Sequence, residues 1–364
     1  MADLTFHLGG LARAANHRTI GGRARAIADD KAMLRVAADL TRDLNVPNRS
    51  FYWCDLAGSA ALGYLALGVA VVSRDAVALL AGVIAMLVLY RAGSFIHEVT
   101  HIKHSQLPGF RRAWNLLIGV PLLVPSFLYE GVHNLHHAKT RYGTSEDPEY
   151  LPLASMKPWT LPLFLVTSAL APIALLIRFA LLAPLSLVSR SLRDAVVGRL
   201  SGLQINPHFR RRPPEGELKR RWLVQEAACS VWAITILGLV VSGTLPLREF
   251  GIFLAIAAGV MFLNQVRTLV AHLWENEGEQ MSVTAQYLDS VNVPPPATLP
   301  VLWAPVGLRY HALHHLLPGV PYHNLGEAHR RISAALDGDS TFHETNHRAL
   351  LPLVRRLASS TLRR

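Results

Sequence analysis

The sequence predicts an all-α integral membrane protein with two transmembrane helical hairpins, further re-entrant or interfacial helices, and a cytoplasmic cap rich in histidine. Three observations lead to this fold class. Hydrophobic residues make up 51% of the 364-residue chain and charged residues only 17%, a balance typical of membrane proteins. Four apolar runs are long enough to cross a bilayer core, which takes about 20 residues. Histidines gather in short clusters beside apolar segments.

The four runs that predict spanning helices come in two pairs with short connections. They cover residues 56–73, 76–96, 223–242 and 250–271. Two further apolar stretches, 113–129 and 159–188, are interrupted by prolines, which break the hydrogen bonding of a straight helix. We expect these two stretches to be re-entrant or to lie along the membrane surface.

Basic residues set the expected orientation. The segment 189–221 is strongly cationic, and Lys103, Arg111 and Arg112 follow the second run. Cationic flanks of this kind face the cytoplasm. This topology accounts for the net charge of +11, so we expect no nucleic-acid partner. We expect a bacterial inner membrane, with the histidine clusters on its cytoplasmic side.

The cysteines exclude several kinds of site. Cys54 and Cys229 are the two cysteines of the chain, and they lie far apart beside apolar residues. A disulfide framework, a cysteine-ligated iron–sulfur centre and a CxxC zinc site are therefore excluded.

Three histidine clusters and one single histidine are the candidate functional residues. The clusters are HEVTH at 97–101, HNLHH at 133–137 and HALHH at 311–315. Spacings of three and four place imidazoles on one face of a helix, from which they can converge on an ion. Imidazole suits iron, zinc, copper and nickel, so ligand type alone does not name the metal. With the single residue, nine candidate ligands suffice for two ions: His97, His101, His133, His136, His137, His272, His311, His314 and His315.

Two other kinds of metal enzyme share part of this pattern. HEVTH is also HExxH, in which two histidines bind zinc and the glutamate, here Glu98, acts as general base. That hypothesis leaves the other clusters without a role. Glu98 and Glu130 each stand three residues before a histidine, as in carboxylate-bridged di-iron bundles. In a membrane protein that also has HxxHH clusters, we expect both glutamates instead to hydrogen-bond ligating imidazoles on the side away from the metal and so to orient them.

The order HxxxH, HxxHH and a late HxxHH on a hairpin-built membrane protein resembles the membrane fatty acid desaturases and related hydroxylases. The likeness covers about residues 51–335, and LHHLLPGVPYHNLGEAHRR is similar to the C-terminal box of that family. The resemblance implies that these nine histidines hold two iron ions in a non-haem centre, with O2 as co-substrate and a lipid or acyl substrate. It also implies a separate electron donor of ferredoxin, rubredoxin or cytochrome b5 type, with its reductase.

The resemblance divides the chain into three parts. We expect a cytoplasmic lead-in at residues 1–50, the di-iron membrane domain at residues 51–335, and a basic tail at residues 336–364.

Two residues depart from the family pattern. The stearoyl-CoA desaturase-like branch has an asparagine four residues before the isolated histidine, bound to the metal through water, and this chain has Thr268 there. We expect Thr268 to lie behind the ligands. His104 continues the spacing of His97 and His101 by one more turn, and we expect it to support the ligands rather than to bind metal.

The expected function is that of a fatty acyl desaturase, which inserts a double bond into an acyl chain during fatty acid biosynthesis. A hydroxylase or ketolase acting on fatty acid, alkane or carotenoid is the first alternative, and a membrane zinc hydrolase that uses HEVTH is the second. One oxidising site can serve desaturation or hydroxylation, because substrate placement decides between them. Chain length, headgroup and reaction position stay open, since residues that line an acyl tunnel resemble other core residues.

Overall fold

The computed structural model describes residues 27–363, and helices dominate it. Within this part of the chain, β-type pairing is limited to isolated bridges such as the one between His272 and Ser290. The α-helices are α1 (Lys31–Leu40), α2 (Arg49–Val72), α3 (Asp75–His101), α4 (Phe110–Trp114), α5 (His133–His136), α6 (Thr160–Ala169), α7 (Ala171–Ile177), α8 (Ala183–Leu185), α9 (Arg190–Arg199), α10 (Gly216–Val241), α11 (Leu247–Leu269), α12 (Val283–Asp289), α13 (Pro300–Trp303), α14 (His311–Leu316), α15 (Leu325–Ala335) and α16 (Leu350–Leu362).

Four of these helices, α2, α3, α10 and α11, are long and apolar enough to cross a membrane. They follow one another in the chain as two pairs with short connections, so the predicted all-α membrane fold is confirmed. Arg248, near the start of α11, donates hydrogen bonds to the carbonyl oxygens of Val71 and Ser73 at the end of α2. The turns of the two hairpins therefore lie on the same face of the molecule.

Helix α3 continues beyond the apolar run from which it was predicted. The run ends at residue 96, whereas the helix ends at His101. In this last turn His97, Glu98 and Val99 are buried, so packing against other segments replaces contact with lipid. The first histidine cluster consequently stands on the rigid end of a spanning helix.

Neither of the two proline-interrupted stretches is a straight helix. Helix α6 and the helical stretch Ala171–Leu185 meet at an angle of 52°, and Pro172 lies in the first turn of this stretch. In the earlier stretch, α4 runs into a π turn at Asn115–Gly119 before the chain reverses. Asn115 and Ser126 close this reversal with two hydrogen bonds, Asn115 Nδ2 to Ser126 Oγ at 2.9 Å and Ser126 N to Asn115 Oδ1 at 2.8 Å.

A charged bridge connects α2, α3 and the segment after the third histidine cluster. Arg91 in α3 donates through Nε to Asp55 Oδ1 in α2 at 2.8 Å and through Nη2 to Asp55 Oδ2. The hydroxyl of Tyr322 donates to the same carboxylate at 2.9 Å. The bridge compensates two charges among apolar helices and holds the cap against the first hairpin.

The cap has a hydrophobic core of its own. Met33 and Ala37 of α1 are buried in one cluster with Leu313 of α14 and Ile332 of α15. Near the other end of the chain, Leu353 of α16 is buried beside the segment that follows α11. Both ends of the described chain thus pack onto histidine-bearing segments. Residues 1–26 of the predicted lead-in lie outside the described residues, and the domain division at residues 50 and 335 stays a prediction.

Candidate metal centre

The nine candidate ligands come from four separate segments of the chain. The last turn of α3 carries His97 and His101, and α14 carries the third cluster. The second cluster occupies the short helix α5 and the residue after it, and His272 follows the end of α11. The spacings of three and four that suggested these residues do occur on helical turns.

The structure brings these histidines together in two groups. Within each group, one potential ligand atom from every residue lies within 4.8 Å of the others. Neighbours in sequence are divided between the groups, because successive helical positions point in different directions. The first group contains His97, His101, His133, His137 and His314, and the second contains His136, His272, His311 and His315.

The Nε2 atoms point toward the centre of each group. In the first group, His314 Nε2 lies 3.1 Å from His101 Nε2 and 3.2 Å from His137 Nε2. In the second group, His311 Nε2 lies 3.0 Å from His272 Nε2 and 3.1 Å from His315 Nε2. Nitrogen atoms this close repel one another unless a hydrogen or a cation lies between them.

Carboxylates and a hydroxyl bind the outer Nδ1 atoms of several imidazoles. His136 Nδ1 donates to Asp147 at 2.9 Å, and His133 Nδ1 donates to Glu149 at 3.1 Å. Tyr142 donates its hydroxyl hydrogen to Asp289 at 2.9 Å, so its oxygen accepts from His272 Nδ1 at 2.8 Å. A hydrogen on Nδ1 leaves the lone pair of a neutral imidazole on Nε2, the atom that faces the centre.

His311 follows a different pattern. Arg267 Nη2 lies 3.0 Å from His311 Nδ1, and because arginine only donates, this Nδ1 is an acceptor. The hydrogen of a neutral His311 is then on Nε2, where it can bridge to His272. Metal ligation through His311 Nε2 requires that this nitrogen give up its hydrogen.

Burial keeps most of the imidazoles outside the spanning helices neutral, which is the form that binds metal. It lowers the pKa of His133, His137, His272, His311, His314 and His315. Burial also acts to lower the pKa of His136, but the Asp147 carboxylate raises it above its ordinary value. Among the supporting carboxyls, burial raises the pKa of Glu149 to about 7 and that of Asp289 to about 6.

The donor set fits metal ions. His97 Nε2 is buried and has no hydrogen-bond partner among residues 27–363, although buried polar atoms are normally paired. Five and four converging imidazoles, with no thiolate among them, suit iron, zinc, copper or nickel. The two groups can therefore each hold one metal ion.

Two of the four residues predicted to support the ligands, Glu130 and His104, lie differently from expectation. Glu130 accepts from Ser126 Oγ at 2.6 Å and lies 3.3 Å from Arg111 Nε, so it pairs with a cation and not with an imidazole. Its segment is no continuous helix, since α5 begins only at His133, and the ExxH spacing therefore does not put the two side chains on one face. His104 is exposed, because α3 ends at His101 and the predicted further turn does not form.

Of the other two residues, Glu98 lies beside His97, whereas Thr268 hydrogen-bonds within its own helix. Glu98 Oε1 is 3.5 Å from His97 Nδ1, while Oε2 accepts from the hydroxyl of Tyr52 and, at 3.1 Å, from the backbone N–H of Tyr322. Thr268 Oγ1 donates to the carbonyl oxygen of Asn264 one turn earlier at 2.9 Å.

Sequence reasoning missed Glu149, Asp289, Tyr142 and Arg267 as partners of the ligands. The one local signal was the acidic stretch TSEDPEY after the second cluster, which contains Asp147 and Glu149. Asp289 lies in α12, on a segment with no ligand of its own. Its role depends on tertiary folding.

A cavity of about 480 Å³ reaches the first group at His97. Its wall is largely apolar, with Trp114, Leu122 and Val260 among the lining residues. A volume of this size lies in the range of small-molecule sites, roughly 300–1,000 Å³. The cavity can hold an apolar chain beside the histidines.

Comparisons with known proteins agree with the histidine geometry. The fatty acid desaturase family model matches residues 75–354, a range that includes all nine histidines. A ceramide hydroxylase of Caulobacter vibrioides (strain NA1000 / CB15N) is 49% identical over 326 residues, which cover 89% of this chain and 92% of the relative. The chain belongs to the fatty acid desaturase family.

Proposed function

We propose that the protein is a membrane lipid hydroxylase, an oxidoreductase that inserts one oxygen atom of O2 into a C–H bond of a ceramide-like lipid. The observation that carries this proposal is the largely apolar cavity that reaches His97 in the first of two converging histidine groups. The similarity to a ceramide hydroxylase favours the hydroxylase alternative over the fatty acyl desaturation that was the first expectation from the sequence.

We propose iron as the metal in both groups. Two bound iron ions would supply the reduction of O2 and the oxidising power needed to break an unactivated C–H bond. The group of five histidines would hold one ion and the group of four the other. Asp147 and Glu149, through their bonds to His136 and His133, keep those imidazoles turned toward the ions.

The protein itself determines which C–H bond reacts. A lipid chain bound in this cavity would lie beside His97, and such positioning lowers the barrier for a bound reactant. In the overall reaction one C–H bond, one O2, two electrons and two protons give one C–OH group and one water.

The electrons need a source outside this chain. Two distant cysteines cannot form a cysteine-ligated redox centre, so we propose a separate carrier of ferredoxin, rubredoxin or cytochrome b5 type with its reductase. The cationic segment 189–221 supports a cytoplasmic position for the cap, in a bacterial inner membrane.

The zinc hydrolase alternative has less support. Its general base must face a metal-bound water, yet Glu98 Oε2 is occupied by two donors, the Tyr52 hydroxyl and the Tyr322 backbone. A hydrolytic zinc ion also needs only three protein ligands, which leaves most of the histidines without a purpose.

The test measures metal and product on the same protein, purified in detergent after expression with added iron. It is incubated with a ceramide, isotopically labelled O2, and a ferredoxin with its reductase. Wild type should hold about two irons per chain, as the two ligand groups require, and release hydroxyceramide that carries the label. His315→Ala removes one ligand of the group of four and should lose iron and product, whereas His104→Ala, on the exposed residue, should keep both.

Other outcomes point elsewhere. Formation of a new double bond without labelled oxygen would identify a desaturase. One zinc per chain, with hydrolysis that depends on Glu98 and not on His315, would establish the hydrolase instead.

A further inference from the structure

Two side chains that line the cavity beside His97 each have a polar atom that residues 27–363 leave unpaired. Arg178 Nη1 and Gln204 Oε1 are both buried and have no hydrogen-bond partner among the described residues, and both side chains line this cavity. A buried polar atom without a partner destabilises the folded protein. Because both side chains line a ligand cavity, a ligand bound there can supply the missing partners.

Arg178 is held rigidly. Its side chain is only 3% exposed, and Nε donates to the Leu200 carbonyl at 2.9 Å. Nη2 donates to Ser201 Oγ at 2.9 Å and to Glu226 at 2.7 Å. These bonds fix the guanidinium plane and use every nitrogen except Nη1, which remains as a donor in need of an acceptor.

Gln204 lies in the loop whose residues 200 and 201 bind Arg178, and it offers an unpaired acceptor atom. Its Nε2 donates to the Phe209 carbonyl at 3.3 Å, which identifies Oε1 as the free acceptor. Gly202 makes room for this arrangement, since a Cβ at position 202 would lie 2.7 Å from Gln204 Oε1. Because Arg178 binds residues 200 and 201 directly, the donor and the acceptor belong to one corner of the cavity.

An unpaired donor together with an unpaired acceptor selects among lipids. A fatty acid carboxylate or an acyl thioester linkage presents only acceptors and would leave Gln204 Oε1 unpaired. A ceramide carries an amide and a neighbouring hydroxyl, which present donors and acceptors side by side. We propose that Arg178 and Gln204 bind the amide and hydroxyl segment of the lipid substrate and thereby fix which carbon of its chain lies beside His97.

This inference rests on the proposed lipid hydroxylation and adds the group by which the substrate is recognised. The binding energy of a segment remote from the reacting carbon then positions that carbon. Loss of the contact should lower the selectivity for ceramide and give products hydroxylated at several carbons instead of one.

The experiment combines residue changes with substrate changes. Metal-loaded wild type and Gln204→Met are compared on a ceramide and on two analogues of it. In the first analogue an ester oxygen replaces the amide N–H. The second analogue lacks the hydroxyl next to the amide-bearing carbon. Wild type should prefer the ceramide to at least one analogue by about tenfold in kcat/KM, the value of one buried hydrogen bond. Gln204→Met should abolish that preference.

Two variants control the comparison. Gln265→Met makes the same chemical change elsewhere on the cavity wall and should keep the preference. Gly202→Ala leaves both polar side chains in place but crowds Gln204 Oε1, so it should weaken the preference as well. Iron content and melting temperature establish that each variant is folded.

The outcomes separate the two proposals. If wild type hydroxylates ceramide but Gln204→Met keeps the full preference, or if wild type shows no preference, the recognition site is overturned and the hydroxylase stands. If iron-loaded wild type oxidises another lipid and leaves ceramide and both analogues untouched, the ceramide assignment fails and the recognition site fails with it.

Discussion

In a neutral imidazole, a hydrogen bond donated by Nδ1 fixes the ring hydrogen there and leaves the lone pair on Nε2, the nitrogen that can bind a metal ion. Glu149 and Asp147 fix a hydrogen on Nδ1 of His133 and His136, and the lone pair of a neutral ring then points into its group. Neither carboxylate touches the centre of a group. Their value lies in orientation and in raising the basicity of the ligand.

Glu149→Gln should weaken metal binding by about tenfold to a hundredfold, the usual effect of losing such an outer partner. The amide no longer offers the paired carboxylate oxygens that accept from His133 Nδ1 and the Tyr129 hydroxyl. Metal retention against a graded series of chelator concentrations measures the change.

Glu130→Gln is the matched control for this prediction. The change is identical and the residue lies three positions before His133, but its carboxylate faces Ser126 and Arg111. Equal loss of metal in both variants would contradict the role assigned to Glu149.

Eight of the nine histidines could be proposed from the sequence because spacings of three and four become a shared direction on a helical turn, whereas the single His272 was supported only by the family resemblance. Their outer partners could not be proposed in the same way. Glu130 had the expected ExxH spacing but stands before the start of α5, whereas Asp289 supports His272 through Tyr142 from a different helix. The spacing of residues within one helix does not show which other segment of the chain will pack against that helix.

Close packing between α2 and α3 depends on Gly63. A Cβ at this position would lie 2.6 Å from Leu89 Cδ2 and 2.8 Å from its Cγ. Gly63→Val should therefore destabilise the first hairpin by about 1–3 kcal/mol, the cost of overpacking a core. Gly68→Val is the control in the same helix, since a Cβ there would meet nothing within 4 Å. Thermal unfolding in detergent should show a lower midpoint for Gly63→Val alone.

The Asp55–Arg91 pair offers a second prediction about the same two helices. Removing one partner leaves an uncompensated charge among apolar helices, so Asp55→Asn or Arg91→Met should cost about 1–2 kcal/mol, less than for a fully buried pair because Arg91 is one-third exposed. The double variant should be more stable than either single variant, because it removes both charges. Unfolding midpoints of the four proteins, including wild type, measure the coupling. Additive losses would mean that the bridge does not stabilise the fold.

The spanning helices were predictable from length and apolarity, but their ends were not. Hydropathy ended the second run at residue 96, while α3 continues to His101 because the buried face of its last turn packs against protein. The two proline-rich stretches were expected to be re-entrant or to lie along the membrane surface. Prolines mark where hydrogen bonding fails, and tertiary contacts such as Asn115 with Ser126 decide the direction of the bend.

At the scale of the whole molecule, the proposed orientation places the hairpin turns and the cap on opposite sides of the membrane. Single cysteines at exposed Thr244 and Arg212 report on the two sides in a background where Cys54 and Cys229 are serine. In intact cells a membrane-impermeant thiol reagent should label Thr244→Cys, and Arg212→Cys only after the membrane is opened. The reverse pattern would place the histidines outside the cytoplasm.

The Nε2 atoms of His101 and His314 lie 3.1 Å apart although 213 residues separate them in the chain. A ribosome that adds about 5–20 residues per second needs about 10–40 s to cover that length. For most of this interval, once residue 137 has been added, the first and second clusters exist without the third, and any metal acquired then is held by an incomplete set of imidazoles. Stable loading must wait until α14 has been synthesised and packed. The maturation of this protein is thus timed by its own translation, and cells short of metal should accumulate full-length, membrane-inserted apoprotein rather than truncated chains.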